Sequence, residues 1–184
     1  MGHIIFQLFS FQYSKINSNA RSRDYETSLQ WLLSSTRVYK CNLLKTIQIP
    51  PKAYCDEEYF KLYLSDVGLL TSLLEINYTD ILLDNDFIYK GNIAENYVAQ
   101  TFVRNGISLY YWKSKSDAEV DFILYNEDGL IPVEVKASDN IMSKSLNIYI
   151  KQYNPKYAIR ISTKNFGFMN NIKSIPLYAT FLIN

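Results

Sequence analysis

Asp121 stands in one apolar run and Glu134-Val-Lys136 in the next, with the turn Asn126-Glu-Asp-Gly129 between them. Both runs alternate. Val120, Phe122 and Leu124 take one side and Asp121 the other; Val133 and Val135 take one side, Glu134 and Lys136 the other. Period-two alternation around a glycine turn predicts two half-buried strands joined as a hairpin. In the register that the turn suggests, two carboxylates and a lysine converge from the inner strands of a sheet. Charged side chains are seldom buried unless they are paired or hold a metal. Two clustered carboxylates repel, and a divalent cation relieves the repulsion. Mg²⁺ is usually held by one or two carboxylates, with water and substrate phosphate completing its shell. A lysine beside it can orient or help deprotonate water, or steady charge on a pentacovalent phosphate. The set suits hydrolysis of a phosphodiester. Acid-x-Lys on a strand also serves solvated faces and cross-strand ion pairs. Here the acid, the glycine turn, the second acid and the lysine occur together, after a helix that carries a glutamate.

The elements around these residues follow from local patterns. A helix over 90–105 ends at Gly106, a good position for a left-handed cap. Its apolar stripe is Ile93, Ala94, Tyr97, Val98, Thr101 and Phe102, with Glu95 towards the stripe's edge. Strands are expected at 108–112, 119–126 and 130–137. A helix capped by Ser143 runs to about Tyr153 and is stopped by Pro155. A strand over 157–162, a short strand over 174–178 and a terminal apolar turn follow. The order from 90 to 162 is thus α-β-β-β-α-β. Upstream, 24–34 reads as an amphipathic helix with Asp24 as N-cap and Tyr25, Leu29, Leu32 and Leu33 as its stripe. Short strands at 37–41 and 43–49 would make a ribbon, so the first fifty residues read as a small winged-helix-like region. Lys15, Arg21 and Arg23 could touch phosphates there, or simply be solvated. Pro50-Pro51 opens a linker-like stretch to Glu58. A strand over 60–64 and a helix from Val67, capped by Ser65-Asp66, come next, then a polar segment over 77–87. Three parts result: 1–50, a connecting helical segment over 51–89, and 90–184 with the candidate site. Tyr110, Tyr111 and Trp112 cluster beside that site, as core and rim more than as a base-stacking platform.

Composition removes several classes. The chain has 184 residues, 48% of them hydrophobic, which allows one sizeable core or two small ones. Net charge is +1, so no global positive field draws in nucleic acid, and contacts would need local patches. His3 is the sole histidine, which excludes Ser-His-Asp triads, Cys-His dyads, His-ligated zinc and a histidine-base nuclease. Cys41 and Cys55 match neither a disulfide framework nor a metal pattern and read as thiols of a reducing cytosol. No apolar stretch approaches the ~18 residues of a membrane span. The apolar start lacks a basic region and a small-residue cleavage site, so it is not read as a signal peptide. No Walker-type phosphate loop occurs, so the chain has no ATP site of that kind.

The helix glutamate, the strand aspartate and Glu-x-Lys, in α-β-β-β-α-β order, resemble the restriction-endonuclease-like PD-(D/E)XK superfamily. Phe11-Gln-Tyr-Ser-Lys, Ala20-Arg-Ser-Arg-Asp-Tyr-Glu, Leu29-Gln-Trp-Leu and Phe60-Lys-Leu-Tyr-Leu-Ser-Asp-Val-Gly-Leu-Leu narrow the likeness. So do Gly91-Asn-Ile-Ala-Glu-Asn-Tyr-Val, Tyr111-Trp-Lys-Ser, Glu119-Val-Asp-Phe, Pro132-Val-Glu-Val-Lys, Ser143-Lys-Ser-Leu and Ile175-Pro-Leu-Tyr. Together they resemble the C-terminal domain of unknown function of bacterial and archaeal AAA-type ATPases. The resemblance implies an α/β fold with a restriction-endonuclease-like mixed-sheet core after a winged-helix-like helical and ribbon region. It implies Asp121, Glu134 and the Val135 carbonyl as Mg²⁺ ligands, Lys136 as the residue that positions water, and Glu95 as a helper through a water or a second metal. It also implies an N-terminal ATPase module, in cis or in trans, with this chain as the C-terminal portion, whether by truncation or as a split gene. DNA is the expected substrate, the cytoplasm the expected compartment, and a homo-oligomer is compatible. Three functions compete: a metal-dependent nuclease, a non-catalytic module that binds DNA or a partner, and a structural or oligomerising domain of the ATPase. Retention of all four polar positions favours the first; a net charge near zero favours the others.

Overall fold

The computed structural model describes residues 22–77, 79, 89–137 and 143–184, with backbone alone for 22–25. Lys15 and Arg21, the Arg23 side chain and nearly all of the polar segment over 77–87 lie outside them. Among the described residues the chain forms four helices, α1 (Ser22–Ser34), α2 (Val67–Leu73), α3 (Lys90–Arg104) and α4 (Lys144–Tyr153). The strands are β1 (Val38–Leu44), β2 (Cys55–Leu64), β3 (Tyr110–Lys113), β4 (Glu119–Val120), β5 (Phe122–Asn126), β6 (Gly129–Lys136), β7 (Ala158–Ser162), β8 (Gly167–Met169) and β9 (Ile172–Pro176). Two mixed sheets result, ordered β2-β1-β3-β4 and β5-β6-β7-β9-β8.

The second sheet forms the site's floor. β6 pairs antiparallel with β5 and parallel with β7, and its residues Ile131–Val135 are all buried. A strand with helices on both faces reads as such a run rather than as clean alternation. On one face, Ala94, Val98, Ala99 and Phe102 of α3 meet Phe122, Leu124, Val133, Val135, Ile159 and Ile161. On the other, Leu146 and Tyr149 of α4 meet Val120, Ile123 and Ala158. α4 begins and ends as its sequence predicts. Ser143 Oγ accepts the Leu146 N–H at 3.1 Å, and Asn154 closes the helix at φ 45° ahead of Pro155.

The expected strand over 119–126 is two strands. Asp121 sits in a bend between β4, which pairs with β3, and β5, which pairs with β6. The bend turns Val120 and Phe122, expected on one side, into different cores. A pure period-two reading cannot see this, because the interruption comes from a side-chain hydrogen bond described below.

The expected ribbon of 37–41 and 43–49 does not form. One strand, β1, spans 38–44; it pairs antiparallel with β2 and parallel with β3 through Asn42↔Tyr110 and Leu43↔Tyr111. A central strand satisfies donors and acceptors on both of its edges, which a two-stranded ribbon cannot do. The stretch read as a linker is a 3₁₀ turn, Pro51–Tyr54, that runs straight into β2. α1 begins at Ser22, which places Asp24 inside it rather than at its cap. Leu29 is buried and Leu33 partly buried against Phe60 and Leu62, while Leu32 turns outward. The final strand, expected at 174–178, is β9, two residues earlier, and leads into a 3₁₀ turn at Leu177–Leu182. β8 escaped the sequence reading; its cue is Asn170-Asn171, both at positive φ, the geometry of a tight hairpin turn.

α2 starts at Asp66, whose carboxylate accepts the Gly68 N–H at 2.7 Å. The corner between β2 and α2 is fixed from α3. Asn96, fully buried, accepts the Leu64 N–H at 2.8 Å and donates to the Leu64 carbonyl at 3.0 Å. One turn on, Gln100 accepts the Val67 N–H at 3.0 Å. Asn96→Ala leaves a backbone donor and acceptor unpaired in the interior. It is expected to cost about 1–3 kcal/mol in denaturant unfolding, and a change within error would show that water replaces the clamp.

Candidate functional site

The bend at Asp121 has a definite cause. Its Oδ2 accepts the Val135 N–H at 2.7 Å, so a side chain in the bend takes a main-chain donor of β6. That bond fixes the half-buried carboxylate against β6, beside Glu134. Glu134 is only 3% exposed and bonds Lys136 Nζ at 2.7 Å, two residues along the same strand face. Its other oxygen, Oε2, is buried with no hydrogen-bond partner. The pairing of Glu134 with Lys136 follows from their period-two spacing; the contact of Asp121 with this strand follows from the hairpin register, which opens at Phe122↔Val133.

Glu95 reaches the site from α3, where it meets an element the sequence reading had not placed there. Lys61 of β2, 3% exposed, bonds Glu95 at 2.9 Å and Glu119 at 2.6 Å. The Tyr63 hydroxyl donates a short bond to the same Glu95 oxygen. The Tyr111 ring lies 5.1 Å from the ammonium. Lys61, Tyr63 and Glu119 thus join the site unpredicted. Their cue was available: a lysine inside the apolar run Phe60-Lys-Leu-Tyr-Leu is costly to bury and needs acidic partners. Which acids it finds is a tertiary matter.

The electrostatics follow from burial and these partners. Burial disfavours the Lys61 ammonium, but Glu95, Glu119 and Asp121 outweigh it and hold its pKa well above the ordinary lysine range. Lys136 behaves alike: burial pulls down, while the bond to Glu134 and the charges of Glu134, Asp121 and Glu95 push its pKa up. Both lysines are therefore cations at neutral pH, and Lys136 is suited to orient water or neutralise charge. Cys41 is pushed well up by burial, and Lys61 does not reverse this, so its thiol is no nucleophile. Tyr63 is raised well above the usual phenol range by burial and by Glu95.

Asp121 lies well above the ordinary carboxylate range. Its surroundings desolvate it, and Glu95 and Glu134 repel its charge; Lys61 and the Val135 N–H offset only part of this. The folded chain therefore binds the Asp121 proton more tightly than the unfolded chain does. The contribution of Asp121 to stability falls as pH rises from the ordinary aspartate range through the raised native pKa. Without divalent ions, Asp121→Asn is expected to be more stable than wild type at neutral pH. The gap should close as pH drops below the ordinary aspartate range, where the acid is neutral in both states. Thermal melts in chelator across pH 3–8 check this, and a wild type at least as stable throughout would contradict it.

Can these residues hold a divalent cation? The donors are hard carboxylate oxygens, which suit Mg²⁺ or Mn²⁺. The orphaned Glu134 oxygen is a buried acceptor that a cation would satisfy. Asp121 and Glu134 are the two carboxylates that the structure brings together at β6. Glu95 Oε1 is already taken by Lys61 and Tyr63. Among the described residues, no three His, Cys, Asp or Glu side chains gather in a metal-holding group. Tyr110, Tyr111 and Trp112 are buried, and Trp112 packs edge-on against Tyr149 and Tyr153 at 5.3 and 5.8 Å, so they are core.

The fold and the cluster define a mixed α/β domain with a buried acid-lysine site at the junction of two mixed sheets. Residues 90–180 match a family described as Domain of unknown function (DUF4143), and residues 9–80 match Domain of unknown function (DUF8612). No curated protein and no solved structure matches the chain. Among the described residues no helix is long and apolar enough to cross a membrane.

Proposed function

We propose that this chain is a restriction-endonuclease-like module that hydrolyses phosphodiester bonds of DNA with a divalent cation, working with an AAA-type ATPase module in cis or in trans. The observation that carries the reading is Glu134. A carboxylate buried in a sheet with one oxygen on Lys136 and the other unpartnered is expensive unless something positive arrives. Asp121, held beside it by the Val135 N–H, completes a two-carboxylate cradle with the Val135 carbonyl as third donor. Bound there, Mg²⁺ would supply a Lewis acid for a phosphoryl oxygen and lower the pKa of a water. The Lys136 ammonium, 31% exposed, is placed to orient that water and to offset charge as the phosphorus becomes pentacovalent. Glu95 holds Lys61 through Oε1. Arg23, with Lys15 and Arg21, remains the proposed phosphate contact upstream.

A second reading, a module that binds DNA or a partner without turnover, draws on the same Glu95. With one oxygen of its carboxylate held by Lys61 and Tyr63, fewer groups are left for catalysis, and the net charge of +1 implies weak DNA contact. Calorimetric titration with Mg²⁺ and Mn²⁺, followed by cleavage assays on duplex, single-stranded and branched DNA and on RNA, separates the two. Cation-dependent cleavage that disappears in Glu134→Gln supports the nuclease. Cation binding without cleavage of any substrate, with an ATPase module supplied, supports the binding module.

A further inference from the structure

We propose that Lys61 stands where a second cation would otherwise sit, so that the site takes one divalent ion and not two. This rests on the reading that Asp121 and Glu134 form the cation cradle. Glu95 and Glu119 come from different elements, α3 and β4, and converge on a third, β2, through one ammonium at 2.9 and 2.6 Å. That is the task of a bridging metal ion, done by a side chain that is part of the fold. The ammonium is sealed in: Lys61 is 3% exposed, with the Tyr111 ring 5.1 Å away and the Tyr63 hydroxyl on the Glu95 oxygen it bonds. A cation approaching Glu95 Oε1 would have to displace both donors.

Charge counting agrees. Asp121, Glu134, Glu95 and Glu119 face two ammoniums, Lys61 and Lys136. With all four acids ionised, four carboxylates against two ammoniums leave two negative charges, which one divalent ion balances. A second ion would leave the cluster two charges positive, in surroundings that penalise net charge of either sign. Lys61 acts as a positioning residue: it keeps Glu95 and Glu119 out of the cradle and leaves the orphaned Glu134 oxygen as the place of lowest cost for the ion.

The test is the number of ions taken up, read with Mn²⁺ alone by paramagnetic resonance and calorimetry on the full chain. Wild type is expected to take one Mn²⁺ and Lys61→Gln two, since the amide keeps the bulk but frees two carboxylates. Wild type taking two, or Lys61→Gln gaining none, overturns the proposal. Wild type taking none while Lys61→Gln gains one sinks the Asp121–Glu134 cradle yet upholds Lys61 as the substitute cation. Should Lys61→Gln fail to fold, Glu119→Gln decides. The wild-type number of ions is retained if Lys61 and not a metal holds Glu119; a lost ion overturns the proposal.

Discussion

Asp121→Asn and Lys136→Ala are each expected to lower cation-dependent DNA cleavage at least about a hundredfold, the scale of losing one preorganised electrostatic group. The two act differently. Asp121→Asn removes a ligand charge but keeps shape, because an amide oxygen can still accept the Val135 N–H. It should weaken Mn²⁺ uptake along with the rate. Lys136→Ala removes the ammonium beside Glu134 and leaves both carboxylates, so Mn²⁺ uptake should hold or strengthen while cleavage falls. Both should remain folded, since the sheet is held by Val120, Phe122, Val133 and Val135. Single-turnover cleavage and cation titration on the same preparations provide the check. A variant that cuts within tenfold of wild type would remove that residue from the chemistry.

Lys61→Met is expected to destabilise the fold by about 3 kcal/mol, the lower end of what removing one partner of a buried ion pair costs. The low end applies because Glu119 is 32% exposed and can draw on solvent. Glu95 cannot do so as easily, and after the change it retains only the Tyr63 hydroxyl of its two donors. Folded domains are stable by about 5–15 kcal/mol, so such a loss consumes a large part of the margin. Urea unfolding measures it. The double variant Lys61→Met with Glu95→Gln should lose less than Lys61→Met alone, because the stranded charge has gone with the lysine; equal loss would mean that packing and not charge sets the cost.

Short-range chemistry made the site's second half legible. Glu134 and Lys136 share a face because strand side chains repeat every two residues, and that period needs no knowledge of the fold. The same holds for the caps at Asp66 and Ser143, each a hydrogen bond settled within a few residues. Asp121 was legible as a partner of β6 through its hairpin register, but not as the point where one strand becomes two. That break depends on the Val135 N–H, a donor fourteen residues away.

Sequence alone determined which groups are present: two carboxylates and a lysine on adjacent strands, a glutamate on the preceding helix, and His3 as the sole histidine. Tertiary structure decided what each of them is bonded to. Glu95 points to Lys61, 34 residues earlier, because β2 runs beside α3 and Asn96 pins their crossing. β1 lies between β2 and β3 rather than in a separate ribbon, because parallel pairing with Tyr110 and Tyr111 closes an edge that local pattern leaves open. Burial is a property of the whole packed chain. It turns two lysines and four acids, spread along the sequence, into a cluster whose charge must be balanced from within or by an ion.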